Sequence, residues 1–254
     1  MRTPLMAGNW KMYKTASETA DFFGKFRPLV AQSAHCEIVI CPTFVNLSAA
    51  VEAADGSKVE IGAQNLHWEK EGAFTGEISG SMLTAIGAKW VIIGHSERRQ
   101  YFGETDETVY KRTAAALAAG LRPIVCVGEK LEERESARTE AVLEEQFAGG
   151  ISRLSPEQFS SIAIAYEPVW AIGTGKTATP EMAEEAHRFL RNLIDRKYGG
   201  DIAGKSRILY GGSVKPDNAR ALMQQPDIDG TLVGGASLEP ASFAAIVNFQ
   251  QERA

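Results

Sequence analysis

The run Ile162-Ala163-Ile164-Ala165-Tyr166-Glu167-Pro168-Val169-Trp170-Ala171-Ile172-Gly173-Thr174-Gly175-Lys176-Thr177-Ala178-Thr179-Pro180-Glu181 decides the fold. Its first four residues, Ile162–Ala165, are a short, bounded apolar run and read as a buried strand. The strand delivers one carboxylate, Glu167, at its carboxyl end. Pro168 stiffens the start of the following loop, and Gly173 and Gly175 loosen its middle. Val169, Trp170 and Ile172 are too apolar for a loop that stays in water. Thr179 then caps a helix that has Pro180 at its first position. Strand, carboxylate, apolar loop and capped helix together suggest a base beneath a lid.

Seven further segments share the character of Ile162–Ala165: Leu5–Gly8, Ile38–Cys41, Val59–Ala63, Trp90–Gly94, Pro123–Val127, Arg207–Tyr210 and Thr231–Val233. Each is short, apolar and poor in alternation, as strands buried on both faces of a parallel sheet are. Helical patterns separate them. Ser17–Leu29 has Ser17 as its N-cap and carries Ala20, Phe23, Phe26 and Val30 near one face. Asn46–Ala54, Ser79–Ile86, Thr105–Ala119 (with Gly120 ending it), Arg138–Phe147 (ended by Gly149-Gly150), Thr179–Lys197, Asp217–Met223 and Pro240–Phe249 complete the set.

Eight βα units in 254 residues fit a single α/β domain spanning residues 1–254, a closed parallel (β/α)8 barrel with outer helices. A doubly wound open sheet is the alternative, but Ala7-Gly8-Asn9-Trp10-Lys11 is not the glycine fingerprint such a sheet usually carries after its first strand. In a barrel, catalytic side chains gather where strands end.

Asn9 and Lys11 follow the first strand and can face the same way across Trp10. Lys11 is either a surface lysine or a point charge for a phosphate or a developing oxyanion. Gln64 and Asn65 follow the third strand. Beyond them lies a long loop, Gly72-Ala73-Phe74-Thr75-Gly76-Glu77, which with Trp68 and Phe74 reads as a lid or, better, an interface.

His95 follows the fourth strand, where Ser96-Glu97-Arg98-Arg99 can begin a helical turn. The positive end of that turn disfavours imidazolium, and a neutral imidazole can exchange protons with a substrate oxygen. Glu97 balances Lys11 or pairs with Arg98 or Arg99. Gly211-Gly212-Ser213 and Gly234-Gly235 follow the seventh and eighth strands, where barrels frequently hold phosphate; two tight turns are the plainer reading.

Net charge is −5, which argues against nucleic acid or an anionic membrane as the main partner. No apolar run is long enough to span a bilayer, and Met1-Arg2-Thr3-Pro4 does not open a signal peptide. Cys36, Cys41 and Cys126 lack metal or CxxC spacing and read as reduced thiols of a cytoplasmic protein. No His, Cys and carboxylate cluster has metal-ligand spacing. One base, one histidine and one lysine suit proton abstraction beside a carbonyl.

Asn9-Trp10-Lys11-Met12, Gln64-Asn65, Gly72-Ala73-Phe74-Thr75-Gly76-Glu77, the 94–99 run, the 165–175 run, Tyr210-Gly211-Gly212-Ser213-Val214 and Leu232-Val233-Gly234-Gly235-Ala236-Ser237 together resemble the triosephosphate isomerase family, from Ala7 to Leu238. The resemblance implies a TIM barrel that interconverts dihydroxyacetone phosphate and glyceraldehyde 3-phosphate in glycolysis and gluconeogenesis, without cofactor or metal. It implies Glu167 as base and His95 as neutral electrophile. Lys11 and Asn9 would hold the substrate and stabilise the enediolate, with Glu97 beside them. Gly173, Ser213, Gly234 and Gly235 would grip the phosphate under a lid spanning residues 168–178. A homodimer is implied, with Thr75 approaching the partner's active site. The sequence departs from the family's pattern at Tyr13, where asparagine is common, and at Glu135-Ser136-Ala137, where a glycine is usual.

Overall fold

The computed structural model describes residues 2–172 and 177–250. Eight parallel strands close in sequence order into a barrel: β1 (Leu5–Asn9), β2 (Glu37–Cys41), β3 (Val59–Ala63), β4 (Trp90–Ile93), β5 (Arg122–Val127), β6 (Ala163–Tyr166), β7 (Arg207–Tyr210) and β8 (Gly230–Val233). The last pairs with the first, Leu5 opposite Gly230 and Gly8 opposite Val233. The barrel expectation therefore holds over the open sheet, with strand bounds shifted by a residue at most.

The missing alternation has a simple cause. Along β1, Leu5 and Ala7 point into the barrel with Val39, Trp90, Ile124, Ala163 and Leu209. Met6 points outward, among residues such as Phe26 and Ile38 that pack between sheet and helices. Both faces are dry, so both are apolar. Each large aliphatic or aromatic side chain buried this way contributes about 1.5–3 kcal/mol.

The helices depart from expectation at particular places. The first spans Ala16–Val30, and its N-cap is Thr15, not Ser17. Thr15 wins because Glu18 stands three residues on: the Glu18 carboxylate accepts the Thr15 N–H while the Thr15 hydroxyl accepts the Glu18 N–H. The buried stripe accordingly runs through Thr19, Phe22, Phe23, Phe26 and Val30, and Ala20 is exposed.

Gly149 and Gly150 do not stop their helix, which spans Thr139–Gly150. They let it approach the helix Asp106–Ala118: a Cβ on Gly149 would meet Asp106 at 2.8 Å, and one on Gly150 would meet Val109 at 3.3 Å. Thr179 caps Pro180–Tyr198 with Pro180 first, as the sequence indicates, whereas Thr105, read as the start of its helix, is the cap of Asp106–Ala118. Short helices at Ser96–Tyr101, Leu131–Glu135, Pro156–Phe159 and Gly200–Lys205 fill the connections.

Candidate active site

The carboxyl ends of the strands surround a cavity of about 360 Å³. Asn9, Lys11, His95 and Glu167 line it together with residues 211–215 and 234–236. Ser213, Gly234 and Gly235 thus share one cavity with the four side chains named from strand ends. Gly173 lies outside the described residues.

Glu167 stands one residue past β6, where its N–H donates to the Val127 carbonyl at 2.8 Å. The side chain is 2% exposed. Its Oε2 accepts the Ser96 N–H at 3.0 Å and its Oε1 lies 2.9 Å from His95 Nε2. Burial alone would raise this carboxyl's pKa; His95, the Ser96 N–H and Lys11 outweigh burial and hold it below the ordinary glutamate value. Gly128 and Gly211 make room for it: a Cβ on Gly128 would coincide with the Glu167 carbonyl oxygen, at 1.7 Å.

His95 is the N-cap of the helix Ser96–Tyr101. Its Nδ1 accepts the Glu97 N–H at 3.2 Å, which leaves Nε2 to carry the ring proton toward Glu167. Burial lowers the imidazole's pKa, but the Glu167 and Glu97 carboxylates reverse the sign and raise it above the ordinary value while Glu167 rests against the ring. The helix-terminus argument for a neutral ring therefore covers the Nδ1 side only; the opposing contribution comes from the contact with Glu167, which the sequence does not reveal.

Lys11 has a left-handed backbone, φ 51°. Its N–H donates to Asn9 Oδ1 at 3.0 Å, and its ammonium donates to Glu97 Oε1 at 2.5 Å. The choice left open for Glu97 resolves to Lys11, because Arg98 pairs with Glu104 and Arg99 with Asp106.

Beneath the start of the apolar loop sits Glu129, fully buried, whose Oε1 accepts from Tyr166 Oη at 3.1 Å and Trp170 Nε1 at 2.9 Å. Arg134 lies 3.5 Å from that oxygen and over the Trp170 ring. Trp170 is 8% exposed, in a 3-10 turn spanning Val169–Ala171. The available sequence signal for Glu129 was a carboxylate two residues past a buried strand, β5. The Ser96 N–H left none, since a backbone donor has no side-chain signature.

Among the described residues no helix is long and apolar enough to cross a membrane. Cys36, Cys41 and Cys126 are free thiols, with Cys41 and Cys126 buried. The loop 72–77 is exposed throughout, with Phe74 packed on His67 at 4.4 Å.

A family profile described as triosephosphate isomerase matches residues 4–250. The triosephosphate isomerase of Solibacter usitatus is 68% identical over 249 residues, covering 98% of this chain and all of that protein. Those of Geotalea uraniireducens and Clostridium botulinum are 53% and 54% identical, over 99% and 98% of this chain and the whole of each relative.

Proposed function

From the chain's membership of the triosephosphate isomerase family, which the profile match and the 68% identical relative establish, we propose that it interconverts dihydroxyacetone phosphate and D-glyceraldehyde 3-phosphate through an enediolate. The observation that carries this reading is the pairing of a buried carboxylate and an imidazole, Glu167 and His95, at 2.9 Å on the wall of a cavity that also holds Lys11.

In the proposed mechanism Glu167 leaves the Ser96 N–H and takes a proton from the carbon beside the substrate carbonyl, returning it to the neighbouring carbon. Charge then develops on the carbonyl oxygen. His95 donates from Nε2 to that oxygen, and the Lys11 ammonium and Asn9 amide stabilise it. Once Glu167 has moved to the substrate, its contribution is lost and burial, the largest influence, together with Lys11 works against Glu97 toward a neutral imidazole, which suits a ring that gives and retakes one proton. Glu97 holds the ammonium in place.

The phosphate is assigned to the backbone around Ser213, Gly234 and Gly235, at the start of the short 3-10 helix Gly235–Leu238. Residues 168–178 are assigned as the lid and Gly173 as its contact with the phosphate. Binding the remote phosphate would thereby exclude water over the reacting carbons. The chemistry moves protons only and is assigned no cofactor.

Pairing of two copies through the 72–77 loop is part of the same reading. Phe74, Tyr101 and Phe102 are exposed apolar groups, and Phe102 is linked through Arg98, Glu104 and Arg112 to Trp68 beside Phe74's platform. The free thiols support a cytoplasmic setting. A coupled assay on glyceraldehyde 3-phosphate tests the whole proposal. Turnover supports it; tight binding of triose phosphates without turnover would instead indicate a binding protein, and turnover of larger phosphosugars alone another isomerase.

A further inference from the structure

Gln64 carries no role in the mechanism above, yet it touches the most constrained part of the site. It stands one residue past β3 and reaches across the end of β2 to the loop after β1. Its Nε2 donates to the Lys11 carbonyl at 2.8 Å and to the Cys41 carbonyl at 2.9 Å. The same Cys41 carbonyl accepts the Trp10 N–H at 3.1 Å. Lys11 is therefore held at both ends of its backbone, its N–H by the Asn9 side chain at 3.0 Å and its carbonyl by the Gln64 side chain.

The residue so held is a lysine at φ 51°, a conformation an L side chain leaves when nothing retains it. Left-handed residues without glycine persist only where the surroundings over-determine them. Here the consequence is directional. Rotation of Lys11 back to negative φ would swing its Cβ and carry the ammonium away from Glu97 and from the cavity.

We infer that Gln64 is a positioning residue for Lys11: its amide locks the strained backbone that aims the ammonium at the substrate. The inference rests on the isomerase reading for what Lys11 does, and on the hydrogen bonds alone for how Lys11 is held.

The test is a double-mutant cycle in the full-length protein. Gln64→Leu removes the donor, and Gln64→Glu keeps the size but sets a carboxylate against two carbonyl oxygens. Both are made with Lys11 intact and with Lys11→Met. The readouts are kcat and KM on glyceraldehyde 3-phosphate, and the affinity for 2-phosphoglycolate, a small phosphate-bearing anion whose binding can be measured without turnover.

With Lys11 intact, Gln64→Leu should weaken 2-phosphoglycolate binding and lower kcat/KM by about tenfold, the weight of a left-handed penalty at a non-glycine residue, and Gln64→Glu by at least as much. In the Lys11→Met background the same substitutions should change binding by less than about twofold, because coupled sites do not add. Equal factors in both backgrounds would overturn the inference, since Gln64 would then act without Lys11. So would an unchanged affinity in Gln64→Leu, or loss of the fold in both variants. A wild-type protein that binds 2-phosphoglycolate with a non-additive cycle but turns over no triose phosphate would sink the isomerase reading and leave the positioning role intact.

Discussion

A methyl group on Gly211 would stand 2.8 Å from Cγ of Glu167 and 3.2 Å from the Tyr166 carbonyl oxygen. The second neighbour is backbone and cannot give way cheaply; the first is the side chain assigned as base. Gly211→Ala should therefore push on Glu167 more than on the barrel. Overpacking of this kind costs about 1–3 kcal/mol. We expect kcat to fall by at least about fivefold, with the thermal midpoint lowered by only about 2–4 °C per kcal/mol of that cost. A midpoint that drops while kcat holds would mean the strands had absorbed the strain instead.

Shortening the proposed base, Glu167, separates chemistry from binding. Glu167→Asp retracts the carboxylate by one methylene, and a misplaced general base loses much of the roughly 100- to 10,000-fold that such groups supply. The loss should fall on kcat with a smaller change in KM. His95→Gln should behave alike and keep its affinity for phosphate-bearing ligands. Steady-state kinetics with 2-phosphoglycolate titration distinguishes this from unfolding, the outcome expected if His95 were only a helix cap.

His187 gives the molecule an acid sensitivity unrelated to turnover. It is fully buried, and its Nδ1 lies 3.2 Å from the Asp227 carbonyl, which it serves as donor in the neutral ring. Burial depresses its pKa from 6.5 to about 3. Between those values the unfolded chain binds a proton that the folded chain refuses. Stability from this group is thus complete above pH 6.5 and is lost as the pH falls toward 3. The slope is about 1.4 kcal/mol per pH unit at most. Urea unfolding at pH 7 and pH 5 should show wild type losing more stability on acidification than His187→Asn, which retains a donor but does not titrate. Parallel losses would assign the acid sensitivity to other groups.

Ala137→Gly should stabilise the protein. Ala137 has φ 55° and is exposed just past the helix Leu131–Glu135. Its N–H donates to the Arg134 carbonyl at 3.0 Å and the Arg138 N–H to the Glu133 carbonyl at 2.8 Å, a Schellman closure that glycine suits best. Removing the methyl relieves the left-handed penalty, less the greater freedom of glycine in the unfolded chain, for a net gain of about 0.5–1 kcal/mol. A urea midpoint that stays put or falls would count against it.

That prediction also marks how far the sequence could be read. The family's usual glycine near 135–137 looks incidental until the backbone angle at Ala137 explains it. The eight strands were legible because each is apolar on both faces, and Asn9, Lys11, His95 and Glu167 because strand ends in a barrel converge. Thr15 was missed in favour of Ser17, which has the same cap chemistry, although Glu18 three residues beyond Thr15 carried the signal. Gly149 and Gly150 were not legible: a glycine pair after a helical pattern looks like a terminator, and its use against Asp106 and Val109 exists only in three dimensions. Gln64 and the Ser96 N–H act across elements distant in sequence, so local pattern carries no trace of their partners.

Ser96 and His95 are neighbours in the chain, and together they receive Glu167: one through its amide, the other through its ring. The carboxylate proposed as base and the imidazole proposed to exchange protons with the substrate consequently share one reference frame. A small displacement of the helix Ser96–Tyr101 would carry the imidazole and the amide tether together, so their mutual registry inherits the precision of a peptide bond and is insulated from breathing between barrel and outer helices. Lys11 has no such covalent insurance, and its alignment depends on the quality of contacts made across three strands.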